Sequence, residues 1–178
     1  MPYYLASIIV VLVFIIRLYF LKISIKNEKK ILEDSGIEYG KENTKRITIL
    51  HILFYLFCFI ESLVKKRPFD GISIVGLLLI IFALFMLYTV TRLLKDIWTV
   101  KLMILKDHKY VNHWLFRNVK HPNYYLNVFP ELIGIALLCH AIYTAVIIFP
   151  LYIVVMYIRI KEEEKLIKDV IIPNGIRD

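Results

Sequence analysis

Residues 124–158 read YYLNVFPELIGIALLCHAIYTAVIIFPLYIVVMYI, an apolar run holding one carboxylate, Glu131, and no lysine or arginine. A helix needs about 20 mostly apolar residues to cross a bilayer's hydrocarbon core. At about 1.5 Å per residue this run would reach past 50 Å, too long for one crossing. A weak break at Cys139-His140-Ala141 divides it into two crossings of minimal length, a tight helical hairpin. Pro130 and Pro150 are kink positions within it, which membrane bundles tolerate where neighbours satisfy the freed carbonyls.

Working outward, Tyr3 to Leu21, Ile47 to Val64 and Ile72 to Leu94 are three further candidate spans. The fold class is therefore all-α, a polytopic membrane helix bundle of about five transmembrane helices, or four if the hairpin does not cross. The 178 residues fit a single integral membrane domain over 1–178, with no room for a second globular unit. The composition agrees, since 59% of residues are hydrophobic and soluble domains are about half apolar. The first run has no basic residue before it and no small-residue cleavage site after it, so it reads as a retained helix.

The formal charge of +8 invites a nucleic-acid reading, but the basic residues flank apolar runs and point to a membrane surface instead. Twenty of the 23 lie on one side if the N-terminus is outside: those of Arg17 to Arg46, Arg92 to Lys120, and the tail from Arg159. Lys65, Lys66 and Arg67 lie opposite. By the positive-inside rule the C-terminus is cytosolic, in a plasma membrane of bacterial type. Cys58 and Cys139 sit in separate apolar runs and read as buried thiols. His108 and His113 lack a third ligand at credible spacing, so no metal is expected.

The loop from Lys22 to Arg46 mixes charges at helical spacing up to Asp34, then turns at Gly36 and Gly40. It reads as a solvated helix capped by glycine, with a lid or entry element as the alternative. The ionisable residues His51, Glu61 and Glu131 lie in or near spans, where such groups are costly and often functional. His51 and Glu61 are close enough to span ends to snorkel. Glu131 shares an approximate face with Asn127 and Tyr124 and is a candidate substrate residue.

Two segments carry chemistry. The first, Trp114 to Tyr125, places Arg117, Lys120 and His121 before Pro122 and enters an apolar helix through Asn123, Tyr124 and Asn127. Proline suits a first helical turn, and the free amides of that turn beside two cations make an anion site. Flanking charge explains Arg117 and Lys120, but not a His-Pro pair with two asparagines and a tyrosine. In the second segment, Arg159 to Glu164, helical spacing sets Arg159 against Glu162 and Glu163. A salt-bridged helix end is the plain reading. A tight hairpin, however, returns these carboxylates to the membrane face that holds His121. Cations, donors and carboxylates beside an apolar wall suit a zwitterionic cofactor with a flat base.

Arg117, Val119, His121, Pro122 and Tyr124, followed by the apolar hairpin and then Arg159, Glu163 and Glu164, resemble the isoprenylcysteine carboxyl methyltransferases and their small bacterial relatives. The likeness covers about the C-terminal 90 residues, including Trp98-Thr99. It implies S-adenosyl-L-methionine as methyl donor in a cofactor-binding part spanning residues 93–178. The residues implied to bind it are Lys120, His121, Pro122, Asn123, Tyr124, Asn127, Arg159, Glu163 and Glu164. The resemblance also implies a lipophilic acceptor entering from the bilayer, such as a prenylcysteine or an alkylpyrone-like polyketide. The chain departs from the family pattern at three places: Lys120 stands for an arginine, Leu126 for a glycine, and Trp114-Leu115-Phe116 for Gly-Pro-Tyr. The same cofactor corner resembles phospholipid methyltransferases and, more distantly, sterol reductases. Methyl transfer to a carboxylate or enol oxygen is thus the leading expectation, with phospholipid amine methylation as the alternative. A non-enzymatic scaffold or transporter is a third reading, though transporters usually carry matched halves and nothing here repeats.

Overall fold

The structure is a computed structural model that describes residues 4–105, 109–110, 113–171 and 176–177. Helix α1 runs from Tyr4 to Glu33, α2 from Lys41 to Lys65 and α3 from Gly71 to Leu94. A short α4, Trp114–Asn118, precedes a π-helical segment, Asn123–Val128, that leads into α5, Phe129–Leu138. Helix α6 covers Ile142–Leu166. Strand β1, Ile37–Tyr39, pairs antiparallel with β2, Leu102–Ile104, while β3, Lys109–Tyr110, pairs in parallel with β4, Ile176–Arg177.

Among the described residues, four helices are long and apolar enough to cross a membrane: α1, α2, α3 with its following turn, and α6 with its extension. The fifth leg, residues 122–138, reaches at most about 25 Å at the α-helical rise. The chain thus makes five legs, all helical, whose apolar side chains are largely exposed where no aqueous protein surface would leave them. This is an integral membrane bundle.

Two sequence expectations change. The stretch after Arg17 is not a separate solvated helix, because α1 continues unbroken to Glu33 and buries Phe20, Ser24, Asn27, Glu28 and Ile31 on one face. The turn at 34–36 then leads into β1, and Gly40, with φ of 59°, starts α2. The hairpin does turn at Cys139–Ala141, with His140 at φ 51°, yet its two helices barely pack on each other. Helix α5 lies mainly along α3 and α6 mainly along α2. The reason lies at Gly76 and Gly134, where the backbones of α3 and α5 approach so closely that a Cβ on Gly76 would stand 2.5 Å from Gly134 O. Close approach of this kind is how helices associate in lipid, where packing replaces the hydrophobic effect.

Pro130 sits in the first turn of α5, straight after the π-helical segment. Proline has no N–H for the i−4 carbonyl and crowds it, so the widened turn before it accommodates the ring. At the end carrying the hairpin turn, Glu61 of α2 caps α6 from outside. Its carboxylate accepts from Tyr143 N at 3.2 Å, Thr144 N at 3.0 Å and Thr144 Oγ1 at 2.8 Å, and it pairs with Lys65 at 2.7 Å. At the same end Asp70 caps α3 through Ser73 N, and that amide, with His140 nearby, holds the Asp70 carboxyl below its ordinary pKa. The described parts of the remaining loops lie at the other end.

Candidate functional site

The loop-rich end encloses a cavity of about 570 Å³, a size typical of small-molecule sites. Its polar corner joins residues from two distant segments. Pro122 lies at the head of the fifth leg, so His121 just before it is drawn under the bundle and is only 4% exposed. Its ring stacks on Tyr124 with centroids 5.8 Å apart. Across the corner, α6 carries Glu163, whose Oε1 lies 3.3 Å from His121 Nδ1 and whose Oε2 accepts from Tyr124 OH at 2.6 Å. Glu164 Oε1 stands 3.8 Å from His121 Nε2, while its Oε2 pairs with Lys161.

Arg159 is placed differently from its spacing. It turns away from Glu162 and Glu163 as direct ion-pair partners and becomes a buried brace, 3% exposed. It donates to Tyr124 OH at 3.2 Å, Thr44 Oγ1 at 2.9 Å and Val100 O at 3.2 Å. Glu162 instead accepts from Asn43 at 3.4 Å and packs where a Cβ on Gly40 would stand. Arginine's rigid fork suits this task of tying three elements together. The free helix-start amides expected at this corner are also partly used, since Tyr124 N and Tyr125 N both donate to His121 O at 3.1 Å.

The cavity's opposite wall is residues 97–104, tied to α1 by polar side chains buried on that helix. Asn27 Nδ2 donates to Lys95 O and to Trp98 O, both at 2.9 Å, and Ser24 Oγ accepts from Val100 N at 2.9 Å. Lys101 reaches Glu28 at 3.2 Å and Glu38 at 3.5 Å. Burial opposes its charge, but the two carboxylates outweigh that and raise its pKa above the ordinary lysine value. The rest of the wall is apolar, with Leu94, Leu102 and Phe116 facing the space.

Of the residues singled out in the sequence, Lys120, His121, Pro122, Asn123, Tyr124, Arg159, Glu163 and Glu164 all line this cavity. Asn127 and Glu131 do not. Both are wholly buried deeper in the bundle, where Arg17 donates to Glu131 Oε1 at 2.7 Å and to Asn127 Oδ1 at 3.1 Å. Glu131 therefore has no surface to offer a substrate. His51 belongs to the same cluster, 3.8 Å from Glu131, and Glu61 is the helix cap described above. His113 caps α4 through Leu115 N, while His108 lies outside the described residues. Among the described residues no cluster of three metal-ligating side chains forms.

Sequence reasoning missed Thr44, Val100 and Lys101 as parts of the corner. They come from loops and a helix start whose sequence carries no motif. Arg17 was legible in principle, since apolar residues LYFL follow it and place it inside the span, not at its edge.

The donor set fits a zwitterionic cofactor. Both ring nitrogens of His121 and the indole Nε1 of Trp98 are enclosed without a hydrogen-bond partner, although carboxylates stand near the histidine. Buried donors and acceptors left unmet are rare in folded proteins, so a ligand's polar groups are the natural complement.

The sequence profile of the isoprenylcysteine carboxyl methyltransferase family matches residues 75–169. An uncharacterized protein of Haemophilus influenzae is 45% identical over 149 residues, 84% of this chain and 87% of that protein. The uncharacterized protein YpbQ of Bacillus subtilis is 29% identical over 149 residues, 81% of this chain and 85% of its own length. No solved structure matches the chain. With the His-Pro corner, the Arg/Glu helix end and the matched stretch in agreement, the chain belongs to the isoprenylcysteine carboxyl methyltransferase family.

Proposed function

We propose that the protein transfers a methyl group from S-adenosylmethionine to an oxygen of a lipophilic acceptor, at the loop-rich end of the bundle facing the cytosol. The observation that carries this reading is the enclosed His121 beside Glu163 and Glu164, with ring nitrogens that make no hydrogen bond within the protein although a carboxylate oxygen stands within 4 Å of each. When bound, the cofactor supplies an electrophilic methyl group on a sulfonium. His121 and Lys120 hold its carboxylate, Glu163 or Glu164 its ammonium, and Asn123 and Tyr124 line the pocket beside it. Arg159 keeps the Tyr124 hydroxyl, α2 and the 97–104 wall in register. Positioning of this kind accounts for much of the rate in displacement reactions.

The apolar wall of Leu94, Leu102 and Phe116 receives the acceptor's hydrocarbon part and excludes water, which favours a reaction between an anion and a sulfonium. A carboxylate or acidic enol arrives already ionised, so no general base is required. Prenylcysteine and alkylpyrone-like compounds both meet that description. The orientation rests on the charge bias, because Lys65, Lys66 and Arg67 flank the opposite end while, Arg17 aside, the other 19 of 23 basic residues fall in the sequence segments 22–46, 92–120 and 159–178, which belong to the loop-rich side.

Titration of the purified protein in detergent with S-adenosylhomocysteine tests the cofactor reading. Wild type should bind, and His121→Ala and Glu163→Ala should each lose at least about tenfold in affinity, as expected when a buried partner is removed. Their melting temperatures should stay near wild type. No binding by the wild type, or full affinity in both folded variants, overturns the proposal.

A further inference from the structure

Midway along the bundle, charged and polar side chains from four helices meet out of reach of the cavity. Arg17 of α1 forms a forked pair with Glu131 of α5, through Nε at 2.7 Å and through a second contact from Nη2. Glu131 is wholly buried and also accepts from Tyr55 OH of α2. His51 Nε2 lies 3.8 Å from the same carboxylate, and its Nδ1 is 3.2 Å from Tyr152 OH of α6. Ionised groups at membrane depth are costly and are seldom retained without a role. A latch holding helices together explains the Arg17–Glu131 pair, but it leaves Asn127 unexplained.

Asn127 extends the cluster toward the cavity. Its Oδ1 accepts from Arg17 Nη2 at 3.1 Å, and its Nδ2 donates to Asn123 Oδ1 at 2.9 Å. Asn123 lines the cavity. The segment that carries this chain of contacts is the π-helical turn, closed by Phe129 N donating to Tyr124 O. A π-turn holds one residue more than an α-turn. Its collapse to α-helix would swing every residue before it by about 100° relative to α5. Asn123 and Tyr124 would turn with it, and the Tyr124–Glu163 bond at 2.6 Å would break. Arg17 reaches Asn127 within the π segment and Glu131 in the regular helix beyond it, and Asn127 carries the contact back to Asn123 at the segment's start.

We infer that Arg17 is a positioning residue of the cofactor cavity, its fork across Asn127 and Glu131 holding the π-turn that presents Asn123 and Tyr124. Helix α1 lies outside residues 75–169, which the family profile covers, so the site is completed by a helix that the profile does not describe. This inference rests on the methyltransferase reading above, and it adds that the N-terminal helix sets cofactor affinity without touching the cofactor.

Two variants separate positioning from simple latching. Arg17→Lys keeps a cation for Glu131 but lacks the fork, and Asn127→Leu removes the link without leaving an unpaired charge. Both proteins should melt close to wild type. Both should bind S-adenosylhomocysteine about tenfold or more weakly, the cost of breaking a buried polar contact. Without ligand, both should show faster amide hydrogen exchange across residues 123–128. Unchanged affinity in both variants while wild type binds overturns the role of Arg17 and leaves the methyltransferase reading standing. Failure of the wild type to bind refutes the methyltransferase reading instead. In that case the exchange rates still decide whether Arg17 holds the turn, and unchanged exchange in both variants refutes it. If Arg17→Lys fails to fold, Asn127→Leu alone carries the comparison.

Discussion

Lys120 and His121 are neighbours in the chain and both line the cavity, but they meet opposite surroundings. His121 is 4% exposed, whereas the Lys120 side chain is open to solvent. Lys120 lies at a bend just before the helix, and of the two neighbours only His121 is drawn under the bundle. Charge in water is screened, so an exposed cation contributes about 0.2–1 kcal/mol to an ionic contact. Replacing a buried polar partner costs about 1–3 kcal/mol. Lys120→Gln should therefore weaken S-adenosylhomocysteine binding by less than about fivefold, and Lys120→Arg should leave it nearly unchanged. His121→Ala should be clearly worse than either. Titration calorimetry of the four proteins settles the order, and a Lys120→Gln loss equal to that of His121→Ala would mean that the lysine is the principal carboxylate ligand. The two glutamates are divided by the same logic. Glu163 is engaged by Tyr124 and His121, while Glu164 shares itself with the exposed Lys161.

At the scale of elements, the pairing of α5 with α3 decides where the His-Pro corner sits. That pairing depends on the absence of side chains at Gly76 and Gly134. A Cβ on Gly134 would stand 2.7 Å from Gly76 O and 2.8 Å from an Ile80 side-chain carbon. Backbone cannot move aside as a flexible side chain can, so the two helices must separate. Gly134→Ala and Gly76→Ala should each destabilise the bundle by about 1–3 kcal/mol, the usual cost of overpacking. Gly71→Ala is the control, since nothing lies within 4 Å of its added Cβ. Thermal unfolding in detergent compares them, and equal melting temperatures for Gly134→Ala and Gly71→Ala would show that the helices tolerate separation there. Helix α6 makes a different use of its neighbours. Its own N-cap residue, Ala141, offers no side-chain bond, and Glu61 supplies the cap from α2. A carboxylate there is favoured by the partial positive charge of the helix start. The ionisable residue near a span end is thus a cap.

Across the whole molecule, five legs put the start of α1 at the hairpin end and the C-terminal extension of α6 beside the loops that build the cavity. With the loop-rich end in the cytosol, a reporter fused after Asp178, just beyond the described residues, should be active only in its cytosolic form. A reporter placed before Tyr4 should show the reverse, and a C-terminal fusion active only outside would invert the proposed topology. The helical class, the approximate spans and the pairing of a His-Pro corner with an Arg/Glu helix end were all legible in residue order. Each is a local property: hydropathy summed along a run, a proline at a helix start, carboxylates one turn after an arginine. The tertiary structure alone decided which helices touch. Residue order makes α5 and α6 a hairpin, but the contacts go to α3 and α2, because glycine placement on two distant helices outweighs proximity along the chain. The same holds for charge. Arg17 reads as a flank and Glu131 as a substrate residue when each is taken in its own segment. They lie 114 positions apart, and only folding brings them together. In a medium without water, two charges at membrane depth must find each other, and a sequence names the charges without naming the pair.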